Sequence, residues 1–348
     1  MDGRCHRWGV ILAGGDGKRL LPLTRRMTGD DRPKQFCAVI GDETLLQQTR
    51  CRVSKMINPQ RTLLVMSGAH ERFYMDQVAD VSPSRLLIQP QNQGTTAAIL
   101  YSLMRIREMD SSGLVAFFPS DHYFSNDEAL VNQIDLVFSL AESYPKLVIL
   151  LGIVPETPEV SYGWIEPGAR LENPYTDSLS RVREFWEKPS QAHASALMRR
   201  GCLWISFVMV GRVDSFLDLT RRTIPHLLKP FESIRQSFLA VGEKGAVSDL
   251  YAAIPPSSFS DEVLSVSPHD FAVMPGSGLG WSDLGEPVRV LSVLARKGAN
   301  TEYDRNSVRD GSAAVMALRG LRYPFTFVGA RLEELSSGRR AHDTAGAR

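Results

Sequence analysis

The chain has 348 residues, 43% of them hydrophobic and 23% charged, with 40 basic side chains against 39 acidic ones for a formal net charge of +1. That length carries a sizeable core, as two domains or as one large α/β domain with an appendage. Balanced charge without long like-signed blocks excludes a broad nucleic-acid or membrane-binding face, and no run approaches the roughly 18 apolar residues of a membrane-spanning helix.

The first apolar run is WGVILA (8–13), and it ends in a glycine-rich turn. Helical periodicity follows at 44–56, then a strand at TLLVMS (62–67), a helix at 70–79 and a strand at RLLIQP (85–90). Further helices are predicted at 95–109 and 127–142, with strands at LVAFF (114–118) and KLVILLGIV (146–154). Strands that are apolar on consecutive positions have both faces covered, and alternation with helices makes the sheet mostly parallel. The expected fold is therefore a doubly wound, Rossmann-like α/β sheet. In such sheets ligands lie beyond the carboxyl ends of the strands, so the residues just after each run are the ones to inspect.

After about residue 160 the pattern loosens. YGWIEPG (162–168), VREFWEKP (182–189), a helix near 190–200, LWISFVMVG (203–211), a proline-punctuated region at 225–268 and FAVMPG (271–276) lead to GWSDLG (280–285). These read as a mixed extension of the same sheet, giving one catalytic domain over 1–297. The remaining 298–348 read as a short segment with strands at AAVMALRG and FTFVGARL and a disordered tail. The four cysteines lack CxxC spacing and the apolar run near the amino terminus is too short for a signal peptide, so a reducing, cytoplasmic setting is expected. Seven histidines without HxxxH or HxH pairing predict no transition-metal site.

The turn GVILAGGDGKRLLPLT (9–24) carries the functional question. A Walker A loop would need glycine where Leu12 stands and Ser or Thr where Arg19 stands. A dinucleotide fingerprint fits Gly15 and Gly17 but meets Leu20 at its third glycine. A third design remains, in which Gly14, Gly15 and Gly17 let backbone amides approach phosphate oxygens while Arg19 and Lys34 supply charge. Arg offers a planar fork for phosphate, and Lys a point charge.

GGxGxRLxPLT followed by Pro33-Lys34 resembles the signature of the sugar-phosphate nucleotidyltransferases. PKQF (33–36), QPQNQGTTAAI (89–99), FPSDH (118–122), YGWIEPG, FWEKP (185–189) and GWSDLG follow in order, and together they are most similar to the mannose-1-phosphate guanylyltransferase branch. The resemblance implies transfer of a nucleotidyl group from a nucleoside triphosphate, GTP, to a sugar 1-phosphate, mannose 1-phosphate, with Mg²⁺. It implies Asp121 and Asp283 as the metal pair, and Arg19, Lys34, Asp121 and Lys188 as catalytic residues. Nucleotide contacts fall to Leu12, Ala13, Gly14, Gly15, Gly17, Lys18, Gln89, Gly94 and Thr95. Gly163, Glu187, Lys188 and Ser206 would hold the sugar phosphate. A homodimer stays open as the assembly, without nucleic-acid or membrane partners.

The chain departs from the pattern at several points. Trp204-Ile205-Ser206-Phe207 stands where many relatives carry WNSG, so an amide is replaced by Ile205 and a glycine by Phe207. Asp16 is placed where it would repel a triphosphate, MTGDD (27–31) lengthens the loop before Lys34, and the carboxyl-terminal β-helix of such relatives is unrecognisable. A catalytically silent nucleotide-sugar-binding homologue, or an enzyme for another sugar and nucleotide, therefore stands beside the main reading. A glycosyltransferase would want a DxD-like motif, whereas PSDH has one carboxylate.

Overall fold

A computed structural model describes residues 6–297, so the expectations for 298–348 lie outside the described residues. The first half alternates as predicted: β1 (Arg7–Leu12), α1 (Leu21–Thr28), α2 (Leu45–Ser54), β2 (Thr62–Ser67), α3 (Glu71–Tyr74), β3 (Leu86–Gln89), α4 (Gly94–Met109), β4 (Leu114–Pro119), α5 (Asp127–Ser143) and β5 (Val148–Ile153). The second half adds β6 (Gly163–Arg170), β7 (Ser180–Glu187), α6 (Gln191–Arg199), β8 (Leu203–Arg212), α7 (Val213–Thr223), α8 (Pro225–Ser233), α9 (Glu243–Ala253), β9 (Phe271–Gly276) and α10 (Pro287–Arg296).

These strands form one mixed sheet in the order β3-β2-β1-β4-β8-β5-β9-β7-β6. β1 pairs in parallel with both β2 and β4, and β2 with β3. The chain winds outward from β1 to β3 and then returns across the sheet to β4. That reversal opens a crevice between the carboxyl ends of β1 and β4, the place where such sheets take ligands. β8 runs antiparallel between β4 and β5, β9 is parallel to β5, and the β6–β7 hairpin closes the far edge.

Adjacent residues of β1 explain why its run is apolar throughout. Val10 belongs to the core under α4, α7, α8 and α9, while Ile11 belongs to the core under α2 and α5. A third, smaller core joins Leu23 and Met27 of α1, Val39 and Ile40, and Val290, Leu291, Val293 and Leu294 of α10. At about 1.5–3 kcal/mol for each fully buried aliphatic side chain, this cluster clamps the last described helix onto the turn after β1. α2 starts at a capping box: the Thr44 hydroxyl accepts from the Gln47 amide at 3.2 Å, and the Gln47 side chain accepts from the Thr44 amide at 2.9 Å.

Two elements differ from expectation. The helix expected at 70–79 is a four-residue α3 followed by a 3₁₀ turn at Met75–Gln77. Tyr74 and Val78 are buried there, Phe73 is half-buried against the core under α2 and α5, and Met75 is exposed, while Arg50 donates to the Gln77 carbonyl. Conversely, the proline-punctuated region holds α8 and α9. Pro225 sits in the first turn of α8, where its missing amide costs nothing, and Val247, Leu250 and Tyr251 give α9 a single buried stripe.

Candidate active site

A cavity of about 450 Å³ opens at the β1/β4 crevice. Leu12, Gly14, Gly15 and Arg19 line it from the turn after β1; Gln89, Gly94 and Thr95 line it from the segment after β3. Gly14 is required by close approach, since a Cβ there would stand 2.3 Å from Gln89 Nε2. Gln89 is itself fixed by the Tyr251 hydroxyl, which donates to its Oε1 at 3.2 Å, so its NH₂ is held toward the glycine turn. Gly94 adopts φ 83°, and an added Cβ would meet the Ser257 carbonyl at 2.1 Å. Ala13 is buried and does not line this cavity; its carbonyl accepts from Gln35 Nε2 at 3.1 Å, and the same amide reaches the Gly15 carbonyl at 2.6 Å.

Gly17, Lys18 and Lys34 line a second cavity of about 370 Å³, which shares Arg19 and Asp121 with the first. Lys18 is largely exposed there. Asp16 does not stand as a bare charge: Lys18 Nζ lies 3.5 Å away, His70 Nε2 3.6 Å, and the Asn92 amide donates to it at 3.3 Å.

The two distant acids meet through one lysine. Lys34, buried, places Nζ 3.2 Å from Asp121 Oδ2 and donates to the Asp283 backbone carbonyl. Asp283 Oδ1 is saturated by Tyr162 OH at 2.9 Å, the Gly285 amide at 2.9 Å and Arg289 at 2.6 Å. Its Oδ2 faces Arg19 at 3.6 Å. Burial pushes the Asp283 carboxyl up, but the charges of Arg289 and Lys34 and the hydrogen bond from Arg289 outweigh it and hold the group down at about 2. His122 completes the cluster: the Trp281 indole, which can only donate, gives its N–H to Nδ1 at 3.3 Å. The proton is thereby left on Nε2, 4.0 Å from Asp121 Oδ1, and burial lowers the imidazole's affinity for a second one. Among the described residues no three His, Cys, Asp or Glu side chains gather as a metal cage. A pair of carboxylates facing phosphate-sized space is the donor set that Mg²⁺ takes, its remaining positions going to phosphate oxygens and water.

Gly163, Glu187 and Lys188 line the same cavity from β6 and β7. Lys188 Nζ pairs with Glu187 at 2.8 Å, and its backbone sits at φ 43°. Ser206 does not join them. It is fully buried, its hydroxyl donates to the Leu151 carbonyl, and it accepts from the Val208 amide at 3.1 Å. The strand explains this correction: side chains alternate along β8, so Ile205 and Phe207 face the cavity and Ser206 faces the other side. Pairing jumps there from Leu150↔Met209 to Gly152↔Ile205, a β-bulge that Ser206 staples. Phe207 holds φ 59° inside it, a left-handed conformation that costs a non-glycine residue about 1–2 kcal/mol. Lys188, Phe207 and Leu284 are three of the four non-glycine residues with positive φ among those described, and all sit at this cavity or beside Asp283. Such strain concentrates at sites of function.

The sequence reading passed over Gln35, Tyr162, His122, Trp281 and Arg289. For Arg289 there was a signal: it is a lone charge in the apolar phase of PVRVLSVLAR, between the buried positions of α10. A charge placed so needs a buried partner.

A glycine turn, fixed cations and two acids around one crevice define a phosphate-handling α/β site, and comparison with known proteins assigns its family. Residues 8–296 match the nucleotidyl transferase family, to which the chain belongs. It is similar to the mannose-1-phosphate guanylyltransferase ManC of Salmonella typhimurium, 30% identical over 288 residues, which are 79% of this chain and 57% of that protein. The alginate biosynthesis protein AlgA of Pseudomonas syringae is 28% identical over 279 residues, 79% of this chain and 56% of the relative. The chain thus spans little more than half the length of these curated relatives. A crystal structure from Thermus thermophilus, described as a mannose-1-phosphate geranyltransferase, superposes with a TM-score of 0.72 at 27% identity, covering 86% of this chain and 81% of the other. Among the described residues no helix is long and apolar enough to cross a membrane.

Proposed function

We propose that this protein transfers a nucleotidyl group from a nucleoside triphosphate to a hexose 1-phosphate, giving a nucleotide-sugar and pyrophosphate. GTP and mannose 1-phosphate are the pair to which the guanylyltransferase relatives point. The observation that carries the reading is the Lys34 ammonium, which ties Asp121 to the Asp283 loop beside the glycine turn and Arg19.

A phosphate oxygen of the sugar 1-phosphate attacks the α-phosphorus, the bond from that phosphorus to its bridging oxygen breaks, and the electron pair leaves with pyrophosphate. The nucleophile is already an anion, so no side chain has to remove a proton; in-line positioning and charge neutralisation are what the protein supplies. Gly14 and Gly15 amides and Arg19 take the nucleotide phosphates. Lys188 takes the sugar phosphate, with Glu187 beside the sugar hydroxyls. The second cavity, walled by Gly17, Lys18, Arg19 and Lys34, suits the departing pyrophosphate. Asp121 and Asp283 Oδ2 would hold Mg²⁺, which when bound supplies positive charge to the nucleotide oxygens.

The test is pyrophosphate release across a grid of four triphosphates and several hexose 1-phosphates with Mg²⁺. Release that requires both substrates supports the reading. Binding of nucleotide-sugar without release from any pair overturns it in favour of a silent, ligand-binding homologue.

A further inference from the structure

The two sides of the sugar end of this cavity are chemically unlike. Around the position a Gly163 Cβ would occupy, Glu187 Oε2 lies at 3.0 Å and Ile205 Cγ2 at 2.9 Å, with the edge of the Phe185 ring at 2.7 Å. A carboxylate and an isoleucine methyl therefore adjoin across one bare backbone position. Beyond Ile205 the apolar side continues through Phe207, whose ring meets Phe259 edge-to-face at 6.5 Å and 77°. Phe259 is anchored in turn by its amide, which donates to Thr95 Oγ1 at 2.9 Å.

This apolar side is built at a cost. The β8 bulge keeps both Ile205 and Phe207 turned into the cavity, Ser206 commits its hydroxyl to holding the bulge, and Phe207 accepts a left-handed backbone to stay there. Neither the Ile205 nor the Phe207 side chain carries a hydrogen-bond donor or acceptor. A hydroxyl pressed against them loses its water and finds no partner on them, whereas a C–H or methyl group gains burial.

Resting on the nucleotidyl-transfer reading above, the geometry points to a deoxyhexose 1-phosphate as the sugar substrate: Glu187 reads hydroxyls on one edge of the ring, and Ile205 with Phe207 reads a position that lacks one. Ile205 and Phe207 are the specificity-determining residues in this assignment.

The experiment compares kcat/KM for pyrophosphate release, with each of the four triphosphates and Mg²⁺, between mannose and glucose 1-phosphates and their 2-, 3-, 4- and 6-deoxy analogues. At least one analogue should exceed its parent by ~10-fold or more, the range that a single small group commands in an apolar pocket. Ile205→Asn should erase that preference and raise the use of the fully hydroxylated parent. If every parent sugar is used as well as or better than all its analogues, the inference is overturned while nucleotidyl transfer stands. If no sugar releases pyrophosphate, nucleotidyl transfer itself fails and the inference falls with it. The wild-type panel decides the sugar class even if Ile205→Asn folds poorly; a folded Ile205→Asn enzyme with an unchanged ratio removes Ile205 from the assignment, which Phe207→Ser then tests at the second residue.

Discussion

The end of the cavity proposed for phosphate and the end proposed for the sugar are built on opposite plans. The end proposed for phosphate uses a glycine turn at a strand terminus, with Arg19 beside Asp283 and Lys34 beside Asp121. The sugar end uses side chains held in place by a bulge and by backbone strain. A change of sugar preference is therefore expected from substitutions at Ile205 and Phe207 of β8, not from the turn after β1.

Substitutions that separate the two ends sharpen this contrast. The largest effect belongs to the phosphate end: Arg19→Ala or Asp121→Ala should lower pyrophosphate release by ~10²–10³-fold or more with the far-ultraviolet spectrum unchanged, the melting temperature holding for the exposed Arg19 and falling for Asp121→Ala, which leaves the buried Lys34 ammonium without that carboxylate. Near-normal release by either variant would break the contrast at its root. Arg289→Ala is expected to cost about 3 kcal/mol in chemical unfolding, because it leaves the Asp283 carboxylate short of its principal counter-charge in a buried setting; a cost below about 1 kcal/mol would mean that Tyr162 and Gly285 suffice. The same pair predicts a pH dependence. The folded Asp283 carboxyl sits at about 2, whereas an unfolded Asp titrates near ~3.9. Its contribution is therefore present above pH ~4 and lost as the pH falls through 2, about 2–3 kcal/mol in all. Asp283→Asn should flatten that part of the acid-unfolding curve, and an unaltered slope would show that other carboxylates carry it.

The smallest expected effect belongs to the sugar end. At an ordinary strand position Ala outdoes Gly, but at φ 59° the order reverses, so Phe207→Gly should be more stable than Phe207→Ala by about 1 kcal/mol. Equal stabilities would remove the argument that strain holds the apolar side in place.

Much of the fold was legible in the sequence because consecutive apolar residues in β1, β2, β4 and β5 have one physical reading, a strand covered on both faces. That Gly14, Gly15, Gly17, Arg19, Lys34 and Asp121 would line one region was legible for a related reason: three glycines directly after a strand leave few alternatives, and the charged residues follow within fixed motifs. Ser206 was misplaced because reading LWISF as a string of site residues ignores that neighbours on a strand face opposite ways. The bulge was hidden as well, since nothing in ISFV announces that the Ser206 hydroxyl will bond to Leu151 and Val208. Arg289 was missed because its partner lies in the preceding loop and its helix reads as amphipathic without it.

The small core that joins α1 to α10 has a bearing on how the protein is made. Lys34 and Asp283 stand 249 residues apart, and α10 lies beyond both. A ribosome that has just released β5 has delivered the glycine turn, Lys34 and Asp121, yet Asp283 follows only after synthesis on the order of ten seconds longer. Nascent chains can thus assemble the parallel half of the sheet while remaining unable to assemble the acid pair, and competence arrives in one late event as α10 closes over the first loop.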